Sequence, residues 1–333
     1  MTSSPSSSQL IDRFGRAHRS LRVSVTDRCN LRCSYCMPAE GLPCAPRSEL
    51  LTFEDITFVV GVACELGVDK IRLTGGEPLL RRDLPELVRM LKGETAVADV
   101  ALTTNGLLLE RKAAELKAAG LDRVNISLDS LDPQRFREIT RNGTFEKAWA
   151  GLEAALESGF APVRVNTLLL AGINDDELDR WIELTRTHPV DVRFMEIMPI
   201  GEGALHAKAG RFVNLSELIA ELMATRGVVP DVARVGNGPA RYYRAPGAQG
   251  RLGFITPISN PYCDTCARLR LTSTGELRAC LAVDDQHELK EATRRRDREA
   301  LRAIFERAVF QKPAGHQWRK GHVTAAGMSA LGG

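Results

Sequence analysis

No run in the 333-residue chain approaches the roughly 18 apolar residues of a membrane-spanning helix. The opening MTSSPSSSQL lacks the apolar core of a secretory signal. Neither sign of charge dominates: 45 Lys+Arg against 42 Asp+Glu leave +3, too little to imply nucleic acid or a membrane surface as partner. The six histidines are scattered without zinc-finger spacing. Neither GxxxxGK(S/T) nor a GxGxxG after a strand occurs, so the common phosphate-cradling loops are missing. These absences leave a cytoplasmic protein, in a reducing compartment, as the expectation. Its eight cysteines then read as metal-binding or redox residues rather than disulfides.

Strand-like runs recur at Arg22–Thr26, Lys70–Thr74, Asp99–Thr104, Arg123–Leu128, Val163–Leu170 and Val190–Met198. Helical patterns at Phe53–Leu66, Leu84–Leu91, Glu110–Ala119, Phe145–Ser158 and Asp175–Thr187 alternate with them, three ending at Gly67, Gly120 and Gly159. Repeated strand and helix predict an α/β protein with a parallel sheet. A doubly wound sheet also fits. A partial (β/α)6 TIM-type barrel is preferred because polar residues gather at the carboxyl ends of the strands. Residues 1–12 read as a disordered tail, 13–228 as the barrel and 229–333 as a smaller C-terminal module. An Arg-rich helix across roughly 288–309 interleaves acids with its bases, which suits a solvated face better than a nucleic-acid surface.

Six cysteines form two triads: Cys29, Cys33 and Cys36, directly after the first strand, and Cys263, Cys266 and Cys280 in the C-terminal module. Structural zinc needs four closed ligands, and neither triad has an evident fourth. Three thiolates on a 4Fe–4S cluster would leave one iron open to a small molecule. For the second triad zinc stays open, with Cys44 as a fourth ligand. Cys64, on an apolar helix face, reads as structural.

CNLRCSYC resembles the signature of radical S-adenosylmethionine enzymes, and TGGEP (Thr74–Pro78) their second motif. Together with LTTNG, NISLDSL, VRVNTLLLAGINDDE, CARLRLTSTGELRACL and the closing Gly-Gly, the sequence is similar to the GTP 3',8-cyclases from about Phe14 to Gly333. The resemblance implies two 4Fe–4S clusters and S-adenosylmethionine, with Tyr35, Gly76, Ser127 and Met198 around the latter. It assigns GTP to Arg22, Arg72, Thr103, Arg164, Arg268 and Arg270, and brings Gly332 and Gly333 to the active site. Relatives often carry Lys at 164 and Asn at 267, where this chain has Arg and Ala. A deoxyadenosyl radical would take hydrogen from the ribose 3'-carbon, and that carbon would attack guanine C8. Implied partners are an electron donor of flavodoxin or ferredoxin type, the next pathway enzyme (cyclic pyranopterin monophosphate synthase) and a second copy in a homodimer. A peptide maturase with an auxiliary cluster and a non-catalytic zinc-binding protein are the competing readings.

The basic residues bear on how a triphosphate, if one binds as the resemblance implies, would be held. A triphosphate without a phosphate loop must be held by side-chain cations, and arginine forks match phosphate oxygens. Arg22, Lys70, Arg72, Arg164 and Arg193 lie on otherwise apolar strands, and alternation puts Arg268 and Arg270 on one face. Singly, each is as easily an edge or surface residue. The glycine pair of TGGEP suits a place where backbone approaches a ligand, although such a pair alone is more often a turn.

Overall fold

Each of the first six strands has one apolar face, and a helix follows to cover it. In the computed structural model, which describes residues 9–232, 238–324 and 327–328, the strands are β1 (Ser20–Ser24), β2 (Lys70–Thr74), β3 (Asp99–Thr104), β4 (Arg123–Ser127), β5 (Val163–Leu168) and β6 (Val190–Met195). They pair in that order, all parallel. The crossovers are α1 (Phe53–Glu65), α2 (Leu84–Glu94), α3 (Ala113–Ala118), α4 (Pro133–Thr140), α5 (Phe145–Glu157) and α6 (Leu178–Thr187). Leu21, Val23, Ile71, Leu73, Val124, Ile126, Val192 and Phe194 join the helices in the main core. Alternation turns Arg22, Arg72, Asn125, Arg164 and Arg193 to the opposite, lumenal face.

The remaining elements are α7 (Glu202–Lys208), α8 (Leu215–Arg226), β7 (Val229–Pro230), β8 (Arg241–Arg244), β9 (Arg251–Ile255), β10 (Arg268–Leu271), β11 (Glu276–Arg278), β12 (His287–Glu288), α9 (Lys290–Arg294) and α10 (Arg298–Gln311). Their strands extend the barrel sheet from both edges. β9 pairs parallel with β6, followed by β8 and β7; β10 pairs parallel with β1, followed by β11 and β12. The twelve-stranded sheet does not close, so the barrel is partial.

Several sequence expectations need adjustment. Residues 9–12, expected as part of a disordered tail, are packed, with Leu10 buried and its N donating to Leu66 O (3.1 Å). The first strand spans Ser20–Ser24 rather than Arg22–Thr26, and the fifth ends at Leu168 rather than Leu170. The sixth strand stops at Met195 rather than Met198. There the Glu196 carboxylate turns aside to accept from Ile258 N (2.7 Å) and Ser259 N (2.9 Å). The short helix α4 was not expected; Asp132 caps it by accepting from Arg135 N (2.9 Å), with Pro133 in its first turn. The basic helix is two helices, broken where Arg296 takes φ 53° and Asp297 caps α10. Its arginines are not simply solvated. Arg298 and Arg302 pair with Glu65, and Arg296 with Asp55, which docks this segment on α1.

Candidate active site

The first triad sits on a loop leaving the carboxyl end of β1. Cys36 N and Met37 N both donate to Cys33 O (2.9 and 3.2 Å), which coils the loop, and Leu31 N donates to the Cys29 sulfur (3.4 Å). The end of α4 straps it: Arg32 N donates to Thr140 O and Ser34 N to Ile139 O, while Arg141, at φ 65°, reaches back to Met37 O (2.9 Å). Gly75 and Gly76 support the loop from β2. A Cβ at Gly75 would lie 2.2 Å from Thr26 O, and one at Gly76 2.3 Å from Arg28 O. Gly76 N donates to Thr26 O and Glu77 N to Arg28 O. The close approach that requires glycine here is therefore to the cysteine loop itself.

Carboxylates surround this loop. The Tyr35 hydroxyl donates to Asp129 Oδ2 (2.6 Å), and Asp129 Oδ1 accepts from Leu168 N. The buried Glu77 carboxylate accepts from the Thr104 hydroxyl (2.7 Å), Asn105 N (2.7 Å) and Leu79 N (2.9 Å). Burial pushes Asp129 up to about 6 and Glu77 up to about 7 against those hydrogen bonds. It also raises the Cys29 thiol, and the Cys33 thiol strongly, with Asp129 adding to the latter.

The second triad lies at the other end of β1. Ser20 N donates to Ala267 O (3.2 Å), and Arg16, just before β1, donates to Cys263 O (2.8 Å), Ala314 O (2.9 Å) and Pro313 O (2.7 Å). Cys280 follows β11, and its sulfur accepts from Ala282 N (3.5 Å). Here the neighbours are cations. Arg268 Nη2 is 3.5 Å and Lys312 Nζ 3.7 Å from the Cys266 sulfur. Burial alone would raise the Cys266 thiol, yet Arg268 and then Lys312 bring it down to about 6. Cys280 is raised by burial.

Between the two ends runs an arginine-lined lumen. Arg270, Arg22 and Arg72 are in register on the adjacent strands β10, β1 and β2. Thr103, Asn125, Arg164, Asp191 and Arg251 form a second row across β3, β4, β5, β6 and β9. The two carboxylates in these strands are already engaged: Asp99 by Arg123, and Asp191 by Arg251 (2.9 and 2.6 Å). Arg193 is held by Asn166 Oδ1 (2.6 Å) and Asn125 Oδ1 (2.7 Å). Thr103 Oγ1 is buried without a hydrogen-bond partner, and Arg164 Nε, also without one, lies 3.7 Å from Asp191 Oδ2 in an ion pair. Burial first, and then the other arginines, hold the Arg22 and Arg72 guanidiniums well below the usual range; burial brings Arg270 to about 10. Among the described residues the adjacent strands thus bring several arginines close together.

The structure thus brings Tyr35, Gly76, Cys29, Cys33 and Cys36 to one end and Cys263, Cys266 and Cys280 to the other, with Arg22, Arg72, Thr103, Arg164 and Arg270 between. Ser127 ends β4, on the lumenal face with Asn125. Met198 lies beyond β6 in a small apolar cluster with Ile200, Trp318 and Cys280; its carbonyl would be 2.6 Å from a Cβ at Gly203, with Tyr35 O 3.6 Å away. Arg268 is not simply a lumenal fork, since it faces the Cys266 sulfur and lies over the Tyr262 ring (4.8 Å). Cys44 is exposed, its thiol directed to Leu42 O, and Cys64 is half-buried against the core. Among the described residues no three His, Cys, Asp or Glu converge on a single-ion site. Gly332 and Gly333 lie outside the described residues. Sequence reasoning passed over Glu77, Asp129 and Lys312; a carboxylate closing an apolar strand, as in NISLD, is the signal that could have found Asp129.

Residues 23–185 match the Radical SAM superfamily and residues 190–318 the Molybdenum Cofactor Synthesis C family. The GTP 3',8-cyclase of Heliobacterium modesticaldum is 48% identical over 92% of this chain and 94% of its own. That of Petrotoga mobilis is 44% identical over 97% and 100%. Among solved structures, Streptococcus suis SuiB bound to S-adenosylmethionine superposes with a TM-score of 0.57 at 15% identity, over 84% of this chain and 65% of its own, a likeness of fold.

Proposed function

The chain belongs to the GTP 3',8-cyclase family, and from that premise we propose that it converts GTP to (8S)-3',8-cyclo-7,8-dihydroguanosine 5'-triphosphate, the first step of molybdenum cofactor biosynthesis. The observation that carries this reading is the row of arginines in register, Arg270, Arg22 and Arg72, between two cysteine triads. A triphosphate is a polyanion that guanidinium forks suit, and Arg22, Arg72, Arg164 and Arg270, with Thr103, are the residues proposed to hold it. Arg268 would serve the second triad as well as the phosphates.

Both donor sets suit iron–sulfur clusters. The cysteines are recessed, and each loop directs a backbone N–H at a sulfur. Cys29, Cys33 and Cys36 would hold the cluster that gives S-adenosylmethionine one electron, breaking its carbon–sulfur bond to leave methionine and the 5'-deoxyadenosyl radical. Tyr35, Gly76, Ser127 and Met198 would shape the S-adenosylmethionine pocket, with Asp129 fixing the Tyr35 ring. Cys263, Cys266 and Cys280 would hold a second cluster, which would supply an iron centre to the guanine base. Walls that exclude water protect a radical from quenching; the C-terminal module is assigned that task. The reading takes a flavodoxin- or ferredoxin-type electron donor, cyclic pyranopterin monophosphate synthase as the enzyme that receives the product, and a homodimer as the assembly. Among the described residues no helix is long and apolar enough to cross a membrane.

The test is anaerobic reconstitution followed by incubation with S-adenosylmethionine, a strong reductant and GTP. The expected result is 5'-deoxyadenosine together with cyclised GTP, from a protein carrying about eight irons. Deoxyadenosine without a cyclised nucleotide, or stoichiometric zinc, overturns the reading.

A further inference from the structure

Lys312, at the carboxyl end of α10, is the one buried lysine among the described residues, with 2% of its surface exposed. Its ammonium donates to Arg268 O (2.8 Å) and approaches Cys266 O (3.4 Å) and the Cys266 sulfur (3.7 Å). The neighbouring charged groups are Arg16 and Arg268, both positive, and the sulfurs of Cys266 and Cys280. The Asp12 carboxylate is engaged by Arg16. A buried ammonium without a counter-charge is costly to keep. The groups placed to supply a balancing charge are the sulfurs of Cys266 and Cys280. Two cations, Arg268 and Lys312, thus converge on one sulfur, whereas the neighbours of the first triad include Asp129 and Glu77.

We propose that Lys312 is a positioning residue for the redox level of the second cluster, its buried charge raising that cluster's reduction potential. The inference rests on the reading of Cys263, Cys266 and Cys280 as cluster ligands. A reduced cluster carries one more negative charge than its oxidised form, so a fixed cation beside a ligating sulfur stabilises it preferentially. Burial keeps this effect from being screened by salt. Lys312 needs no contact with either substrate to act in this way.

The experiment uses the full chain with Cys29, Cys33 and Cys36 replaced by Ala, so that only the second cluster contributes signal. After anaerobic reconstitution, iron and zinc are counted, and the cluster is titrated with dithionite under EPR observation. In this background Lys312→Met removes the charge, Lys312→Gln removes it but keeps a donor for Arg268 O, and Lys312→Arg restores it. The expected result is about four irons throughout. At one fixed ambient potential, the Met and Gln variants should show at least a tenfold higher ratio of oxidised to reduced cluster, about 59 mV for a one-electron couple. The Arg variant should return towards the parent. Equal potentials at full iron content overturn the proposal. Loss of iron in both Met and Gln variants, with retention in Arg, also overturns it, by making Lys312 an assembly strap. A parent that binds zinc or no iron instead overturns the second-cluster reading on which it rests.

Discussion

The two cysteine triads are alike in ligand count and in being recessed, yet they sit in opposite fields. Around the first, Asp129 and Glu77 are drawn in with Tyr35 and Thr104, and Cys29 and Cys33 resist ionisation. Around the second, Arg268 and Lys312 bring Cys266 down to about 6, and Arg16 fastens the Cys263 carbonyl. The same three-thiolate set therefore receives a different electrostatic setting at each end of β1. A five-residue strand, roughly 16 Å long, lies between them. Under the proposed function, surroundings rather than cysteine count would distinguish the electron-giving site from the substrate-holding one.

Cys33→Ala breaks the contrast most completely. Deoxyadenosine formation should fall below detection while iron drops from about eight to about four per chain, measured by product chromatography and iron assay. Unchanged deoxyadenosine would remove the first triad from its role. Next in size, Arg270→Ala should weaken GTP binding about 10- to 100-fold, the worth of a charge-assisted contact, with iron unchanged by calorimetry and iron assay. Arg268→Ala should reduce both GTP affinity and the stability of the second cluster, because that side chain faces Cys266 as well as the lumen.

Gly76→Ala tests the support peculiar to the first loop. The added methyl would meet Arg28 O, so a loss of about 3 kcal/mol in thermal unfolding is expected, with first-cluster iron lost before second-cluster iron. The smallest effect concerns His18, buried beside the second triad's Arg16 and Lys312 with neither ring nitrogen hydrogen-bonded. Burial, then Lys312, lowers its pKa to about 4 from 6.5. The unfolded chain therefore binds a proton between those values that the folded chain refuses. Stability should be complete above about pH 6.5 and fall on acidification, by at most about 1.4 kcal/mol per pH unit. Denaturant titrations of His18→Gln across pH 4–7 should show a shallower slope than the parent.

Much of this arrangement was legible in the sequence because it is written locally. Lys70–Thr74 and Asp99–Thr104 have the expected strand limits to the residue, and both triads stand at spacings that invite a cluster. What escaped depends on pairings distant along the chain. That the second triad faces the amino end of β1 follows from Ser20 pairing with Arg268, which no local pattern announces. Helix α4 hid because PQRFREIT buries only Phe136, Ile139 and Thr140, too few for a clear period. Lys312 follows a helix in QKPAG, where a lone lysine reads as surface, and only packing reveals its burial. The glycine pair was read as a place where backbone approaches a ligand; the group that approaches it in the structure is the chain's own backbone.

The sheet's connectivity also bears on how the chain assembles. Both flanks of the six-strand barrel, β1 and β6, are covered by strands made from its last third, β10 and β9. During synthesis β1 must wait some 240 residues for its partner, a closure of high contact order. Until then it presents an unpaired edge of the kind that recruits other chains. Arg22, on that edge, gains Arg270 as its neighbour only at the last step. Completion of the cationic lumen and covering of that edge thus depend on the same strand pairing, which a chain ending near residue 228 would lack.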